Sequence, residues 1–189
     1  MTDKRWLRER LLEQRSTLDT VTVVDAGRAL AQRARSLVEQ HRVRAVAAYL
    51  SVGLEPPTWP MLDGLLTDGV DVLVPRALPR RRMTWVRYAG RQALALGRFG
   101  IPEPHGPSDD GALDAVDAVV VPALAVDGEG HRLGRGGGYY DTALAAHPAP
   151  LRIAVVYDHE VVADVFPQGH DQRVDVAITP RRTIAMPPR

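Results

Sequence analysis

The hexapeptide Ala118-Val119-Val120-Val121-Pro122-Ala123 limits what this chain can fold into more than any other segment. A strand with one wet face alternates apolar and polar side chains, because successive residues point to opposite sides. Here both sets are apolar, so both faces must be covered, as in parallel sheets flanked by helices. Ala45-Val46-Ala47-Ala48-Tyr49-Leu50, Val72-Leu73-Val74, Ile153-Ala154-Val155-Val156 and Val174-Asp175-Val176-Ala177-Ile178 share the texture. Met83–Arg87 is a further expected strand, and the Val72 strand should stop at Pro75, which has no N–H for a ladder.

Helical periods separate these runs. Residues 3–17 begin a helix whose apolar side chains, Trp6, Leu7, Leu11, Leu12 and Leu18, recur at helical spacing among arginine and glutamate. A second helix is expected from Thr22, with Asp25 three positions on as in a capping box. Its Leu30, Ala34, Leu37 and Val38 share one face. Thr58 should cap a third through Leu66, and Tyr139 to Ala146 reads as a fourth. Gly97 to Gly111 is too rich in glycine and proline for regular structure and reads as loop. Apolar strands separated by helices imply a three-layer α/β/α fold with a mainly parallel open sheet. One domain is expected over 1–189, with a frayed tail from Ala185.

Composition removes several functions. The absence of cysteine excludes thiol catalysis, thiolate metal sites and disulfide frameworks. A formal net charge of +1 gives no broad attraction to nucleic acid or anionic lipid. The charged start, Met1-Thr2-Asp3-Lys4-Arg5-Trp6-Leu7-Arg8, lacks the apolar core of a signal peptide. A soluble cytoplasmic monomer is therefore expected. Of the 24 basic side chains one, Lys4, is lysine; wherever a generic cation would serve, this chain uses arginine.

Ligands of open α/β sheets bind beyond the carboxyl ends of the strands. The segment following Val121 lies there and contains Arg132-Leu133-Gly134-Arg135-Gly136-Gly137-Gly138-Tyr139-Tyr140-Asp141. Glycines let the backbone approach a ligand and turn successive amides towards an anion, and a helix starting near Tyr139 adds its positive end. No Gly-Lys-Ser/Thr follows, so this is not a Walker A loop, and tyrosine at 139 breaks the Rossmann fingerprint. A flexible turn is the plain alternative. The strand before it, the helix after it and the flanking arginines favour phosphate binding.

Residues 132–141 resemble the signature of the 5-formyltetrahydrofolate cyclo-ligase (methenyltetrahydrofolate synthetase) family. The resemblance extends to Lys4-Arg5-Trp6-Leu7-Arg8, to Tyr49-Leu50-Ser51 with Glu55 and Thr58, to Phe99-Gly100-Ile101-Pro102-Glu103-Pro104, and to His170-Asp171-Gln172-Arg173-Val174-Asp175. Five motifs in order are far more specific than one. They imply that Mg·ATP phosphorylates the formyl oxygen of 5-formyltetrahydrofolate, with or without a polyglutamate tail. N10 then attacks, and phosphate leaves to give 5,10-methenyltetrahydrofolate.

The resemblance assigns roles to particular residues. Lys4 and Arg8, four apart and so on one helix face, would contact the ATP phosphates. The nucleotide loop would consist of Arg132, Gly134, Arg135, Gly136, Gly137, Gly138, Tyr139 and Tyr140, with Lys4, Arg132 and Arg135 acting on the phosphoryl group. Some relatives carry lysine where Gly137 stands. Tyr139 and Tyr140 would also meet the substrate, one of them stacking on pterin or adenine, with burial of at least one in the core as the alternative. Asp141 and Asp175 would hold Mg²⁺, while His170 and Asp171 would orient their loop. Glu55 would hydrogen-bond the pterin. Arg80-Arg81-Arg82 reads as a solvated loop, with contact to the glutamate tail of folate as the alternative, and Trp6, Trp59 and Trp85 read as core. A catalytically silent folate- or nucleotide-binding relative, or a phosphotransferase on another small molecule, are the competing functions.

Overall fold

In the computed structural model, which describes residues 3–97 and 102–189, two helices come first: α1 (Lys4–Ser16) and α2 (Thr20–Gln40). Then follow β1 (Ala45–Ala48), α3 (Trp59–Thr67), β2 (Asp71–Ala77), β3 (Met83–Arg87), β4 (Leu94–Leu96) and β5 (Pro102–Pro104). The second half contains β6 (Ala118–Pro122), β7 (Ala125–Val126), β8 (Arg132–Leu133), α4 (Tyr139–Ala146), β9 (Leu151–Val155), β10 (Val176–Ile178) and β11 (Thr183–Ala185). One seven-stranded sheet runs β11-β10-β9-β6-β1-β2-β3. The five inner strands are parallel, and β3 and β11 close the edges antiparallel.

The pleat sorts the apolar runs as their composition requires. Val46, Ala48, Val120, Ile153 and Val155 face one side, against Leu30 and Leu37 of α2 and Met61, Leu62 and Leu65 of α3. Ala47, Val119, Val121, Ala154 and Ala177 face the other, against Leu144 of α4 and the 3-10 turn carrying Leu113. Each fully buried valine or leucine contributes roughly 1.5–3 kcal/mol. These two cores make the α/β fold with its mainly parallel sheet.

Helix α3 connects β1 to β2 across one face, whereas α4 connects β6 to β9 across the other. The chain therefore reverses its winding between neighbours β1 and β6, and at such a switch the connections leave the carboxyl ends in opposite directions, which opens a crevice in sheets of this kind. Residues 49–58 and 123–138 leave the sheet on either side of it.

Several local expectations are corrected. Helix α2 starts at Thr20 because Asp19 is its cap, accepting the Thr22 amide at 2.7 Å. Thr58 precedes α3 without capping it; its hydroxyl donates to the Tyr49 carbonyl at 2.8 Å and accepts the Ser51 amide at 3.1 Å. Strand β2 passes through Pro75, which lies opposite Trp85 of β3. By then β1 has ended, so one side of β2 is open and proline is tolerated. Pro102–Pro104 pairs with β4 where loop was expected, whereas Phe99–Ile101 lies outside the described residues. Trp6 is 42% exposed and sits under Arg10, Trp59 is half-buried, and Trp85 alone of the three is core. The tail is tied down: the Met186 amide bonds to the Asp175 carbonyl at 2.8 Å, and Arg189 pairs with the Asp175 carboxylate. Among the described residues no helix is long and apolar enough to cross a membrane.

Asp117, just before β6, accepts the amides of Arg44 and Ala45 at 2.6 and 3.0 Å and so staples the start of β1. Those amides hold its carboxyl below the ordinary range. Such a group stabilises the fold above its unfolded pKa of about 3.9 and loses that contribution as pH falls through the depressed folded value. Asp117→Ala is thus expected to lower Tm at pH 7, and the gap from the parent should narrow steadily in melts below about pH 4. A constant gap across that range would show that the charge contributes nothing.

Candidate functional site

The crevice between β1 and β6 is bridged by one ion pair. Glu55, from the loop after β1, presents Oε1 to the Arg135 Nε at 3.2 Å. Its other oxygen accepts the Val52 amide at 3.0 Å, which holds the nearly buried carboxylate in place. Arg135 is half exposed on the glycine loop. The pair joins the expected folate loop to the expected nucleotide loop.

That loop takes its shape from two glycines. Gly136 and Gly138 have φ of 94° and 73°, a left-handed backbone that side chains resist. Gly138 occupies the cap position of α4, and no side chain satisfies the first turn of that helix. Its orphan amides form a natural anion cradle.

Helix α1 brings two cations to this cradle. Leu7 and Leu11 bury against Leu124, Ala125 and Leu133 around the β7–β8 hairpin. Arg15, one turn further along the same stripe, is also buried; its Nε and Nη2 grip Glu160 at 2.6 and 2.9 Å, and Nη2 donates to the Ala123 carbonyl at 2.8 Å. With the helix so anchored, Arg8 donates to the Gly134 carbonyl at 2.8 Å and lies beside Gly136. Lys4, 15% exposed, pairs with Asp171 across 167 residues of chain. A lysine on a solvated helix face would have no such partner.

Arg132 is buried and donates to Asp141 Oδ1 at 2.9 Å, while its Nε has no partner among the described residues. Burial pulls its pKa down, and the Asp141 and Asp171 carboxylates oppose that pull. Asp141 Oδ1 also accepts the Gln172 amide at 3.1 Å, so both of its bonds use one oxygen and leave Oδ2 for another ligand. Tyr140 packs edge-on against Trp85 at 6.4 Å. Its hydroxyl is buried without a partner among the described residues, and burial, with the Glu55 carboxylate, pushes its pKa up and keeps the proton on. Tyr139 is half-buried, with its ring beside Gly137.

Lys4, Arg8, Glu55, Arg132, Arg135, Tyr139, Tyr140 and Asp141 thus converge with the glycines. Asp175 does not join them. It precedes β10 at the amino end of the sheet, where Oδ1 takes Arg189 at 2.7 Å and Oδ2 the Arg152 amide at 2.8 Å. Both oxygens are engaged, and the expected Asp141–Asp175 metal pair is not formed. Asp171, expected to orient its loop, accepts the Gln168 amide of that loop at 2.7 Å and also supplies the carboxylate on Lys4.

Among the described residues no group of three or more metal-ligating side chains occurs. Magnesium does not need one, because it takes one or two carboxylates and completes its shell with phosphates and water. Asp141, with Oδ2 open, fits that donor set; Asp175 does not.

The 5-formyltetrahydrofolate cyclo-ligase family profile matches residues 1–180. A 5-formyltetrahydrofolate cyclo-ligase from Mycolicibacterium smegmatis is 40% identical over 152 residues, covering 75% of this chain and 76% of that one. The solution structure of 5,10-methenyltetrahydrofolate synthetase from Aquifex aeolicus superposes with a TM-score of 0.83 at 28% identity, over 97% of this chain and 92% of that one. A Mycoplasma pneumoniae 5,10-methenyltetrahydrofolate synthetase shares the fold with a TM-score of 0.75 at 18% identity, over 94% of this chain and 98% of that one. With a family profile that matches most of its length and a relative 40% identical, the chain belongs to the 5-formyltetrahydrofolate cyclo-ligase family.

Proposed function

We propose that this chain uses Mg·ATP to convert 5-formyltetrahydrofolate to 5,10-methenyltetrahydrofolate, with release of ADP and phosphate. One observation carries the reading beyond family membership: the α1 cations and the glycine loop face the folate-side Glu55 across a single crevice. In that reading the α4 amides, Arg8 and Lys4 hold the triphosphate, and Arg135 turns from Glu55 to the phosphoryl group being transferred. Glu55, released, accepts N–H groups of the pterin and fixes the formyl oxygen in line with the γ-phosphorus. Most of the rate gain then comes from position and fixed charge, as is general for phosphoryl transfer. Asp141 would hold Mg²⁺, which supplies charge neutralisation on the phosphates.

The chemistry balances in two steps. The formyl oxygen attacks the γ-phosphorus and the bond to ADP breaks. N10 attacks the activated carbon and loses its proton, and the C–O bond breaks as phosphate departs with the electron pair. The neutral Tyr140 hydroxyl, lacking a protein partner, is available to donate to substrate.

The test mixes protein, Mg·ATP and 5-formyltetrahydrofolate and follows the near-ultraviolet absorbance of the methenyl product. Stoichiometric growth of that band with ADP is expected. ADP release without the band would identify a phosphotransferase on another acceptor, and neither signal would identify a silent relative.

A further inference from the structure

We propose that Arg81, at the turn between β2 and β3, is a further phosphate-gripping residue of the nucleotide site. Strand β2 runs parallel to β1 and delivers its carboxyl end to the same end of the sheet as the crevice. The turn that follows holds Arg80 and Arg81 both at φ 60°, a left-handed bend that directs residue 81 across to the glycine loop. A Cβ added at Gly138 would stand 3.5 Å from the Arg81 Nη1 and 3.6 Å from its Cδ. The guanidinium therefore lies over the residue that opens α4, where the helix amides are unfilled.

Charge accounting gives this placement its meaning. Among the described residues, five cationic side chains gather at the loop. Lys4 is matched by Asp171, Arg132 by Asp141 and Arg135 by Glu55. Arg8 donates to a backbone carbonyl, and Arg81 has neither a carboxylate nor a hydrogen bond among the described residues. The exposed Arg81 side chain lies beside the positive end of a helix and among four other cations. Like charges so placed repel one another unless an anion lies between them. Residues 136–138 have no side chains, so any cation over that part of the cradle must come from elsewhere in the fold. Arg81 is placed to supply it, and its planar fork suits two phosphate oxygens at once.

This inference rests on the nucleotide site proposed above, and binding measurements separate the two. Titration calorimetry with Mg·ATP, and separately with inorganic tripolyphosphate, would compare the parent with Arg81→Ala, Arg81→Lys, Arg80→Ala and Arg8→Ala. Arg81→Ala is expected to weaken both ligands about 10–100-fold, the usual effect of losing one charge-assisted contact. Arg81→Lys should recover part of that loss and Arg80→Ala should show none. Thermal melts and 5-formyltetrahydrofolate affinity should stay at parental values in Arg81→Ala, which a merely structural turn would not predict. Parental ATP affinity in Arg81→Ala, with Arg8→Ala impaired, would overturn the role of Arg81 and leave the site standing. A parent chain that binds neither ATP nor tripolyphosphate would overturn both.

Discussion

Glu160→Gln is expected to destabilise the protein by about 3–5 kcal/mol, the usual effect of stranding one member of a fully buried ion pair. Glu160 is 0% exposed and accepts two bonds from Arg15, itself 2% exposed, as well as the Tyr157 amide at 2.8 Å. Glutamine still accepts hydrogen bonds but leaves the guanidinium without a counter-charge in a dry site. Urea unfolding checks the figure. The double variant Arg15→Met with Glu160→Leu should regain most of the loss, because apolar replacements of similar volume remove the stranded charge. Persistent instability in the double variant would mean that the hydrogen bonds to Ala123 and Tyr157 matter more than the charge. The pair also has a functional consequence. It anchors the end of α1 distal to Lys4 and Arg8, so ATP affinity in Glu160→Gln should fall even at temperatures where the variant remains folded.

Asp141→Asn is expected to reduce kcat by roughly 10²-fold or more, the scale of removing one well-placed charge from a transition-state cradle. It should also raise the Mg²⁺ concentration needed for half-maximal rate. Some stability will be lost as well, since Arg132 depends on Asp141 for its only carboxylate contact among the described residues, a 2.9 Å bond. Asp141 is 21% exposed, so that loss should fall below the value for a fully buried pair. Asp175→Asn is the matched comparison: it should shift Tm through the Arg152 and Arg189 contacts and leave the Mg²⁺ dependence unchanged. A shift in Mg²⁺ dependence in Asp175→Asn, with none in Asp141→Asn, would reverse the metal assignment.

These contrasts show which kinds of residue can be read without a structure. The apolar runs announced the sheet, because burial on both faces leaves no room for polar alternation. The glycine run announced the sharp turn into α4, because left-handed backbone at Gly136 and Gly138 calls for glycine. Arg15 was legible in principle: Leu7, Leu11 and Arg15 continue one i, i+4 stripe, but an arginine in an arginine-rich helix resembles its solvated neighbours. Asp171 and Asp175 were not separable. Both belong to one short acidic motif, and only the direction of β10 decides which carboxylate reaches the crevice and which turns to the amino end.

From the sequence alone came the parallel α/β sheet, the glycine loop, the helix face bearing Lys4 and Arg8, and the family to which they belong. All are carried by local periodicity, backbone demands or ordered motifs, which lie within a few neighbouring residues. Only the tertiary structure decided that Lys4 pairs with Asp171, that Glu55 holds Arg135, that Asp175 stands apart, and that Arg81 reaches Gly138. Each of those depends on two segments far apart in the chain being set side by side by strand order. Side-chain identity does not encode that distance; the switch in winding between β1 and β6 does.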